Sequence, residues 1–429
     1  RRTRSDAQKY VDAHYELAGR ESFPLRPFAD ETWLSIVVPV YNAPPRYLND
    51  LVRSFRQQHV AGVELILSDD ASPSEETRHW FASGKRPKNV QVVRNESNGG
   101  IGKATNAGLA VARGTWVTFL DHDDVIAPHA LKMIARAIEL HPEMMFLYTD
   151  ELVVDDKLQP KGLLLKPAYD PVLLSGLNYI NHFSVYRRDR VASVGYLREG
   201  FDGSQDYDLL LRYLQGLPDR QVFHLPYPAY WWRRNGQTYS RRFLDSATAA
   251  ARRALRDRYA ASAGDGLSVG SALTETLHRI EFACADEGSL PKLSVIIPSK
   301  DSFELIERVL GDLFEKTDYP DIEVIIVDNG STDPRVLDLY DRYREARPGF
   351  QALVTEEKFN FARAINRGMQ AATGEHLLIL NNDIEVTNGA WLREMVGCLN
   401  YADVGIVANR TGNRALRPET SKSLNAGFV

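Results

Sequence analysis

The chain repeats itself over most of its length. The segment LSIVVPVYN near the start matches LSVIIPSKD, which lies 259 residues later. VELILSDDAS and IEVIIVDNGS keep that offset, so that Asp69 aligns with Asp328, and farther on Asp123 aligns with Asp383 at an offset of 260. Chance similarity between two apolar segments would not hold register over this distance. The sequence therefore predicts a duplicated domain.

Each copy reads as an alternation of strands and helices. LSIVVPV and VELILSDD are short, continuous apolar runs, typical of strands buried on both faces of a parallel sheet. Between them, Leu48, Leu51, Val52 and Phe55 recur at helical spacing, and NAGLAVAR predicts a short helix closed by Gly114. This order predicts an α/β fold with right-handed crossovers, in which tandem domains each have a mostly parallel sheet flanked by helices.

Four segments follow from the repeat. They are an N-terminal helical extension (1–32), domain 1 (33–242), a helical connector (243–290) and domain 2 (291–429). In domain 1 the segment GFDGSQDYDLLLRYL surrounds Asp206, and an offset of 260 would put its counterpart beyond Val429. We therefore expect domain 2 to be truncated, with a shrunken, degenerate domain as the alternative.

Composition excludes several classes of protein. A net charge of −5 provides no basic field for nucleic acid, and no apolar run reaches the ~18 residues of a membrane span. The basic N-terminus lacks the apolar core of a signal peptide. Cys284 and Cys398 form neither a metal spacing nor a disulfide framework, which favours a reducing compartment. We expect a cytoplasmic protein, with peripheral association with the inner face of the cytoplasmic membrane left open.

Polar clusters follow three strands of domain 1. PVYN and SDDAS contain Pro39, Tyr41, Asn42, Asp69 and Asp70, and the third cluster is LDHDD over 120–124. The carboxyl ends of parallel strands meet at one edge of a sheet, so the three clusters should converge there. Taken alone, the Asp69 and Asp70 carboxylates could equally begin a turn or cap a helix.

The third cluster contains carboxylates that need a cation. Asp121 and Asp123 lie two residues apart at a strand end, where they would repel each other unless something cationic neutralises them. Mg²⁺ or Mn²⁺ suits oxygen ligands and usually also takes phosphate oxygens. Asp124 is expected to be a turn or cap residue, and a ligand role for His122 stays open. The pair predicts a cation site with positions left for a phosphorylated substrate.

The motifs LSIVVPVYN, LILSDDAS, NGGIGKATNAG, TFLDHDD and GSQDYDLLLR, in this order, resemble glycosyltransferase family 2, whose fold is GT-A. GSQDYDLLLR and PYPAYWWRRNGQTYS are also similar to bacterial tandem glycosyltransferases of surface-polysaccharide and O-antigen assembly, including rhamnosyltransferases. The resemblance implies an inverting transferase that uses a divalent cation, Mg²⁺ or Mn²⁺. Such an enzyme moves a sugar from a dTDP-, UDP- or GDP-sugar to a hydroxyl of a glycan or lipid-linked glycan acceptor.

The resemblance also implies roles for single residues. Asp123 would contact the metal, Asp121 would share it and lie nearer the ribose, and Asp206 would be the catalytic base. Asp69 or Asp70 would hydrogen-bond the base or ribose of the nucleotide. The donor contacts that it implies are Pro39, Tyr41, Asn42, Asp69, Asp70, Gly100, Lys103, Asp121, His122 and Arg233. The acceptor loop LNYINHFSVY, over 177–186, has no readable code.

Three departures from the family pattern bear on these roles. Gln205 stands where the family often has Glu, which removes a like charge beside the base and predicts a less basic carboxylate. Thr105 replaces a frequent Arg, which shifts a diphosphate contact to Lys103. Trp231 replaces a frequent His, so that a histidine near the metal is missing, while Arg233 or Arg234 could still cover the diphosphate.

Domain 2 keeps only part of this pattern. Its donor and metal candidates are Pro298, Asp328, Asn382 and Asp383, with no counterpart of the base. We therefore expect weak donor binding or none, and no turnover, in this domain; a non-catalytic carbohydrate-binding or scaffold role is the alternative. For the whole chain the alternative is a nucleotidyltransferase acting on sugar phosphates, although PVYNAPPRY lacks the basic Gly-rich signature that such an enzyme needs after its first strand.

Overall fold

The computed structural model describes residues 6–20, 32–84, 86–234, 244–263, 266–282, 290–401 and 404–408. The described residues form two compact units, one drawn from 1–259 and 269–280 and the other from 260–268 and 281–429. Unit one contains domain 1 of the sequence repeat, and unit two contains domain 2.

Helices and strands alternate along both units, as the sequence predicts. The helices of the described chain are α1 (Asp6–Arg20), α2 (Pro45–Arg56), α3 (Glu75–Ala82), α4 (Gly100–Val111), α5 (Ala130–Leu140), α6 (Pro171–Gly176), α7 (Arg188–Ser193), α8 (Gln205–Leu214), α9 (Leu244–Ala263), α10 (Phe303–Gly311), α11 (Pro334–Ala346), α12 (Phe361–Ala371) and α13 (Trp391–Cys398). A 3-10 turn spans Asp219–Gln221, and a π-helical turn spans Asp312–Lys316.

The strands follow the same chain order. They are β1 (Leu34–Val40), β2 (Val63–Asp69), β3 (Val90–Arg94), β4 (Trp116–Phe119), β5 (Val125–Ile126), β6 (Phe146–Val154), β7 (Pro160–Leu164), β8 (Ser184–Arg187), β9 (Val222–Arg233), β10 (Leu267–Ser271), β11 (His278–Phe282), β12 (Leu293–Ser299), β13 (Ile322–Asp328), β14 (Phe350–Val354) and β15 (His376–Ile379).

Unit one is built on a nine-stranded sheet in the order β3-β2-β1-β4-β8-β6-β9-β5, with β7 paired to β6. Strands β3, β2, β1 and β4 are parallel, whereas β8 runs antiparallel to both β4 and β6. Strand β9 is parallel to β6 and antiparallel to β5. The predicted α/β class is confirmed, and the sheet is parallel in its first half and mixed in its second.

The core of unit one forms around the parallel half of the sheet. Every residue of β1 and β2 is buried, which explains why both strands read as continuous apolar runs. Helix α2 joins the same apolar cluster through Leu48, Leu51 and Phe55, all predicted from the helical spacing. Each such side chain contributes about 1.5–3 kcal/mol when fully buried, so this face holds the helix on the sheet.

The sheet of unit two repeats the parallel half of unit one. Its order is β14-β13-β12-β15. Leu293 pairs with Ile322 in β12 and β13, as Leu34 pairs with Val63 in β1 and β2. Both sheets therefore carry the same register at the offset of 259 residues that the sequence repeat has.

Helix α4 differs from its prediction. It begins at Gly100, well before the NAGLAVAR segment, and it ends at Val111 rather than at Gly114. Gly114 has another role, because a Cβ at this position would lie 2.5 Å from the backbone nitrogen of Ser35. The glycine lets the chain pass close to β1 as it enters β4. Because α4 begins at Gly100, the glycine-rich segment NGGIGK leads into the N-terminus of this helix.

The segments that flank domain 1 contain both helices and strands. In α1 the Tyr15 hydroxyl donates to the carbonyl of Pro228 (2.8 Å) and accepts from Trp231 Nε1 (2.6 Å). The connector predicted as helical over 243–290 contains α9 and a two-stranded β10–β11 sheet. Other parts of this connector and of the 1–32 extension lie outside the described residues. In the described ranges, no helix combines the length with the apolar composition that crossing a bilayer requires.

Candidate active site

The predicted polar clusters meet at the carboxyl edge of the parallel strands. Asn42 follows β1, and its backbone nitrogen donates to Ser72 Oγ (2.9 Å) in the loop after β2. Its side-chain oxygen accepts from the backbone nitrogen of Ser74 (2.9 Å). Pro39 is buried within β1, whereas the Tyr41 side chain is exposed. The first two clusters are therefore joined through Asn42.

The carboxylate of Asp70 is occupied by the protein. It accepts from Asn95 Nδ2 (2.8 Å) and from the backbone nitrogens of Gly99 (3.0 Å) and Gly100 (2.8 Å). These bonds tie the glycine turn before α4 to the end of β2, where a negative charge also suits the helix dipole. Asp70 thus has the turn or cap role that the sequence left open.

Asp69 differs, because one of its oxygens receives no hydrogen bond. Oδ1 accepts from the backbone nitrogen of Ser72 (3.2 Å). Oδ2 is buried and has no hydrogen-bond donor among the described residues; Arg94 Nε lies 3.3 Å away, within ion-pair distance but outside hydrogen-bond geometry. A buried acceptor without a donor costs roughly 1–3 kcal/mol. Asp69 is therefore the better candidate of the two to receive a donor from a ligand.

Asp124 anchors the LDHDD loop to β9. Its Oδ2 accepts from the Tyr230 hydroxyl (2.5 Å), and its Oδ1 accepts from the backbone nitrogen of Arg233 (2.6 Å). Its own backbone nitrogen closes a turn onto the carbonyl of Asp121 (3.2 Å). Burial, together with the charges of Asp123 and Asp121, raises the pKa of Asp124 well above its ordinary value. Both carboxylate oxygens are thus engaged, as fits a turn or cap residue.

Asp121 and Asp123 fit a divalent cation. One carboxylate oxygen from each, with one from Asp124, lie within 4.8 Å of one another. Both residues are only half-buried, whereas Asp124 is buried and bonded internally. Burial raises the pKa of Asp121; the charge of His182 opposes this rise, and the charge of Asp123 adds to it. Two adjacent carboxylates of this kind suit Mg²⁺ or Mn²⁺, which would also relieve their repulsion.

All three guanidinium nitrogens of Arg233 are bonded to the protein. Nε donates to the carbonyl of Asp123 (2.7 Å), Nη1 to that of Asp156 (3.0 Å) and Nη2 to the Asp50 carboxylate (3.1 Å). The guanidinium also stacks on the Tyr47 ring, 4.5 Å from its centroid, and the side chain is 1% exposed. The predicted contact with the diphosphate would require these bonds to break. In this structure Arg233 instead braces the loop that carries Asp123.

His182 lies beside Asp121, one of the two predicted metal ligands, a position that the sequence did not predict. Its ring stacks on Tyr230 with 4.7 Å between centroids, Nε2 lies 3.7 Å from Asp121 Oδ2, and Nδ1 lies 3.4 Å from Glu151 Oε2. Burial lowers its pKa, but the hydrogen bond and charge of Glu151 and the charge of Asp121 outweigh burial and raise the pKa to about 9. The segment before β8 thus supplies the histidine that is missing at Trp231.

A buried ion pair supports His182. Lys166 Nζ lies 2.6 Å from Glu151 Oε1, and the two side chains are 4% and 2% exposed. Lys166 also donates to the carbonyls of Ile180 and His182. Burial favours a higher pKa for Glu151, but Lys166 and His182 outweigh it and lower the pKa. The available sequence signal was Glu151 within the apolar run FLYTDELVV, since a buried carboxylate needs a partner.

Asp206, the predicted base, is the second residue of α8 and is half-buried. Asn178 Nδ2 donates to its Oδ2 (3.3 Å). Burial raises the pKa of Asp206, and the charge of His182 and the backbone nitrogens at the start of α8 offset this rise only in part. A raised pKa makes the carboxylate a stronger base. This direction is opposite to the weaker base expected from Gln205.

Gly100, Lys103 and His122 complete the predicted donor set. Gly100 begins α4 with a φ of +86°, and a Cβ there would lie 3.4 Å from Asp202 Oδ1 in the loop before α8. Lys103 is exposed in the first turn of α4. His122 is half-buried and interacts electrostatically with Asp121. The start of α4 therefore lies next to the loop that leads to the predicted base.

Asp328, the predicted nucleotide aspartate of domain 2, has different contacts from its counterpart Asp69. Asp328 Oδ1 accepts from the backbone nitrogen of Ser331 (2.6 Å). Its Oδ2 accepts from Ser331 Oγ (2.6 Å) and from the Tyr340 hydroxyl (2.7 Å). Both oxygens of this carboxylate are therefore bonded within the protein.

The remaining candidates of domain 2 do not form a cluster like that of domain 1. Asn382 Nδ2 donates to Ser299 Oγ (3.2 Å), Asp383 is exposed, and Pro298 is half-buried in β12. Among the described residues of domain 2, no three acidic, histidine or cysteine side chains come together as Asp121 and its neighbours do.

Sequence comparison identifies relatives along nearly the whole chain. The Glycosyl transferase family 2 profile matches residues 35–190 and 294–425. The uncharacterized protein y4gI of Sinorhizobium fredii is 34% identical over 401 residues, which are 91% of this chain and 43% of the relative. The O-antigen biosynthesis protein RfbC of Myxococcus xanthus is 35% identical over 399 residues, which are 92% of this chain and 30% of the relative. The chain thus spans less than half the length of either relative.

The likeness to solved structures is weaker. S. aureus TarS 1-349 in complex with UDP-GlcNAc is 20% identical, with 53% of this chain and 73% of that chain covered and a TM-score of 0.41. The family match is the stronger finding, because its two stretches cover more than half of the chain, and it confirms the resemblance that the motifs indicated. The protein belongs to glycosyl transferase family 2.

Proposed function

We propose that domain 1 is an inverting glycosyltransferase that depends on a divalent cation. It moves a sugar from a nucleoside-diphosphate sugar to a hydroxyl of a glycan or lipid-linked glycan. One observation carries the proposal: His182 Nε2 lies 3.7 Å from Asp121 Oδ2, and the charge of the same histidine also acts on the pKa of Asp206. A cation carboxylate and a base therefore belong to one cluster, which suits a reaction between a diphosphate leaving group and an acceptor hydroxyl.

Asp206 takes the proton of the acceptor hydroxyl while the oxygen attacks the anomeric carbon of the donor. The bond from that carbon to the diphosphate oxygen breaks in the same step, the nucleoside diphosphate departs, and the proton stays on Asp206. A single displacement from the opposite face inverts the configuration of the carbon. General-base assistance contributes about 10²–10⁴ in rate, and the raised pKa of Asp206 supports this role.

Asp121 and Asp123 are the residues that would hold the cation. When bound, Mg²⁺ or Mn²⁺ neutralises the charge that develops on the leaving diphosphate. Arg233 bonds the carbonyl of Asp123, and His182 lies against the Asp121 carboxylate. Both contacts support the orientation of the two carboxylates before a donor arrives.

The nucleotide is proposed to bind at the ends of β1 and β2. Asp69 has a carboxylate oxygen without a hydrogen-bond donor, and Tyr41 has an exposed ring on which a base could stack. Lys103, exposed at the start of α4, is the proposed contact for the diphosphate. Uracil, thymine and guanine all have a ring N–H that a carboxylate accepts, so UDP-, dTDP- and GDP-sugars form the donor class.

The acceptor class rests on the relatives. RfbC of M. xanthus is named an O-antigen biosynthesis protein, and it matches 92% of this chain. We therefore assign the protein to the synthesis of a bacterial cell-surface polysaccharide of the O-antigen type. Its place would be the cytoplasm, with peripheral contact with the inner face of the cytoplasmic membrane.

Turnover of a panel of nucleotide sugars, with Mn²⁺ and polysaccharide fragments as acceptors, tests the proposal. One donor should be consumed, and NMR should show the opposite anomeric configuration in the product. Asp206→Asn should lower transfer by about 10²–10⁴ while nucleoside-diphosphate binding is retained. The matched control is Asp202→Asn, an exposed carboxylate in the same loop, which should keep wild-type turnover. A product with retained configuration, or full activity in Asp206→Asn, would contradict the proposal.

A further inference from the structure

We propose that the Tyr340 hydroxyl, by its hydrogen bond to the Asp328 carboxylate, closes this position of domain 2 to a nucleobase. The chain would then bind a nucleoside diphosphate in domain 1 only. The equivalent position in domain 1 is Phe81, which lacks the hydroxyl. The inference rests on the proposed function, which assigns Asp69 to the nucleobase.

Phe81 and Tyr340 occupy equivalent positions. Each lies on the helix that follows the second strand of its sheet, α3 in domain 1 and α11 in domain 2. The two helices begin at the N-cap residues Ser74 and Asp333, whose side chains both accept from the helix backbone. Both pairs keep the offset of 259 residues that relates the strands. The difference is therefore a substitution at one site and not a shift in the alignment.

The substitution coincides with a difference in hydrogen bonding. The Tyr340 hydroxyl donates to Asp328 Oδ2 (2.7 Å), an oxygen that also accepts from Ser331 Oγ (2.6 Å). In domain 1, Asp69 Oδ2 has no hydrogen-bond donor among the described residues. Phe81 lies in the apolar core and has no donor to offer. In domain 1 this oxygen of Asp69 has an ion-pair partner, Arg94 Nε at 3.3 Å, but no hydrogen-bond donor of the kind that Tyr340 provides in domain 2.

Tyr340 competes directly with the N–H of a nucleobase. A carboxylate offers about four acceptor positions, and three donors from the protein already bond that of Asp328. Burial and the neighbouring Asp328 raise the pKa of Tyr340, so its hydroxyl remains a donor at neutral pH. A base that displaced this hydroxyl would take from its proton the Asp328 acceptor, which is unfavourable for a buried donor. Both oxygens of Asp328 therefore have hydrogen-bond donors without a ligand, whereas Asp69 Oδ2 has an ion-pair partner but no hydrogen-bond donor.

Isothermal titration calorimetry of the whole chain with UDP, dTDP and GDP, in the presence of Mn²⁺, tests the inference by stoichiometry. One site per chain is expected for the nucleotide that binds. Asp69→Asn should weaken binding at least about tenfold, while Asp328→Asn should leave affinity and stoichiometry unchanged. Two sites per chain would overturn the inference, as would binding that survives Asp69→Asn and disappears in Asp328→Asn.

Phe81→Tyr introduces the closing hydroxyl into domain 1. This variant should bind the same nucleotide at least about tenfold more weakly. Phe81→Leu, which keeps the position apolar, is the matched control and should bind at least about three times more tightly than Phe81→Tyr. Thermal melting of both variants establishes that domain 1 is folded. Should Phe81→Tyr fail to fold, the stoichiometry and the Asp328→Asn titration still decide the question.

The inference and the proposed function fail in different ways. Wild-type affinity in folded Phe81→Tyr, with binding still lost in Asp69→Asn, overturns the closing role of the hydroxyl and leaves the proposed function intact. If none of the three nucleotides binds to the wild-type chain, the proposed function is contradicted and the inference falls with it.

Discussion

Glu64 in domain 1 and Glu323 in domain 2 make the same buried hydrogen bonds. Glu64 accepts from Ser35 Oγ (2.7 Å), and Glu323 accepts from Ser294 Oγ (2.7 Å). Each serine in turn accepts from a glycine backbone nitrogen at 2.8 Å. This network recurs in domain 2, where no base was expected. It therefore serves the fold, because buried polar groups need partners wherever parallel strands bring them together.

The two domains differ after the fourth strand of this shared half. In domain 1, β8 pairs with β4, and Val117 and Thr118 of β4 are fully buried. In domain 2, Leu377 and Ile379 of β15 are 43% and 51% exposed, and no strand in the described chain pairs with the outer edge of β15. The proposed base and the residues that form the adjoining buried network all follow β4; they are Asp206, Glu151, Lys166 and His182. The parallel strands, which are proposed to bind the donor, are present in both domains. The part of the fold that contains the proposed base is described in domain 1 alone.

Lys166 lies in the part of the fold that is described only in domain 1. Its removal should have the largest effect on the free energy of unfolding. Lys166→Met removes the nearer cationic partner of the buried Glu151 carboxylate, and breaking a buried ion pair costs about 3–5 kcal/mol. Urea unfolding, followed by hydrogen exchange on peptides of each domain, should show this loss in domain 1 alone. The matched control is Lys161→Met, which breaks an exposed pair with Asp155 and should cost no more than about 1 kcal/mol. Equal losses in the two variants would contradict the role of the buried pair.

Asp123→Ala and Asp383→Ala compare the cation sites of the two domains. Asp123→Ala should weaken Mn²⁺-dependent nucleotide binding by about 100-fold, or about 2.7 kcal/mol, because one of the two carboxylates that face the cation is lost. Asp383→Ala changes the exposed counterpart and should bind as the wild type does. Titration calorimetry with and without Mn²⁺ measures both. A larger loss in Asp383→Ala would reverse the proposed assignment of the two domains.

Gly203→Ala perturbs the loop of the base, which has no described counterpart in domain 2. Gly203 has a φ of +83°, and a Cβ there would lie 2.8 Å from Ala247 Cβ on α9. Gly200 has a φ of +80° but open space around its Cβ position. Thermal unfolding should therefore show a loss of about 2–3 kcal/mol for Gly203→Ala and about 1 kcal/mol for Gly200→Ala. Identical melting of the two variants would show that the contact with Ala247 of α9 does not restrict the residue at position 203.

Per pH unit, the pH dependence of domain 1 stability should be the smallest of these effects. The pKa of His182 rises from 6.5 to about 9 on folding, so the folded protein holds more protons in that interval. The stabilisation is complete below about pH 6.5 and is lost as the pH rises through about 9, with a slope of at most about 1.4 kcal/mol per pH unit. Denaturation of EDTA-treated protein at several pH values measures it. His182→Gln should remove the slope, and an undiminished slope in that variant would point to another group.

Much of the donor side could be predicted from local patterns. Continuous apolar runs indicate the strands, and right-handed crossovers between parallel strands bring their carboxyl ends to one edge. Asn42, Asp69 and Asp121 therefore meet there without any knowledge of side-chain positions. The boundaries of α4 were harder, because Gly114 looks like a helix end but is needed for a close backbone approach to Ser35.

Local patterns could not predict which polar side chains are already bonded within the protein and which can still bind a ligand. Asp69 and Asp70 are neighbours with the same chemistry. Backbone nitrogens of the turn before α4 donate to the Asp70 carboxylate, whereas Asp69 Oδ2 receives no hydrogen bond. Arg233 carries charge that suits a diphosphate, but its donors are used by carbonyls and a carboxylate from other loops. His182 contacts Glu151, which belongs to a separate strand, and this contact could not be predicted from either segment alone.

By itself, the sequence determined the α/β class, the duplication and the strand ends at which carboxylates gather, because these depend on periodicity and on the order of segments along the chain. Only the tertiary structure decided that Asp69 Oδ2 lacks a hydrogen-bond donor, that His182 lies beside Asp121 and that Tyr340 bonds Asp328. The physical reason is that the state of a buried polar atom depends on which donors reach it. Those donors come from segments that only the folded chain brings into hydrogen-bond distance.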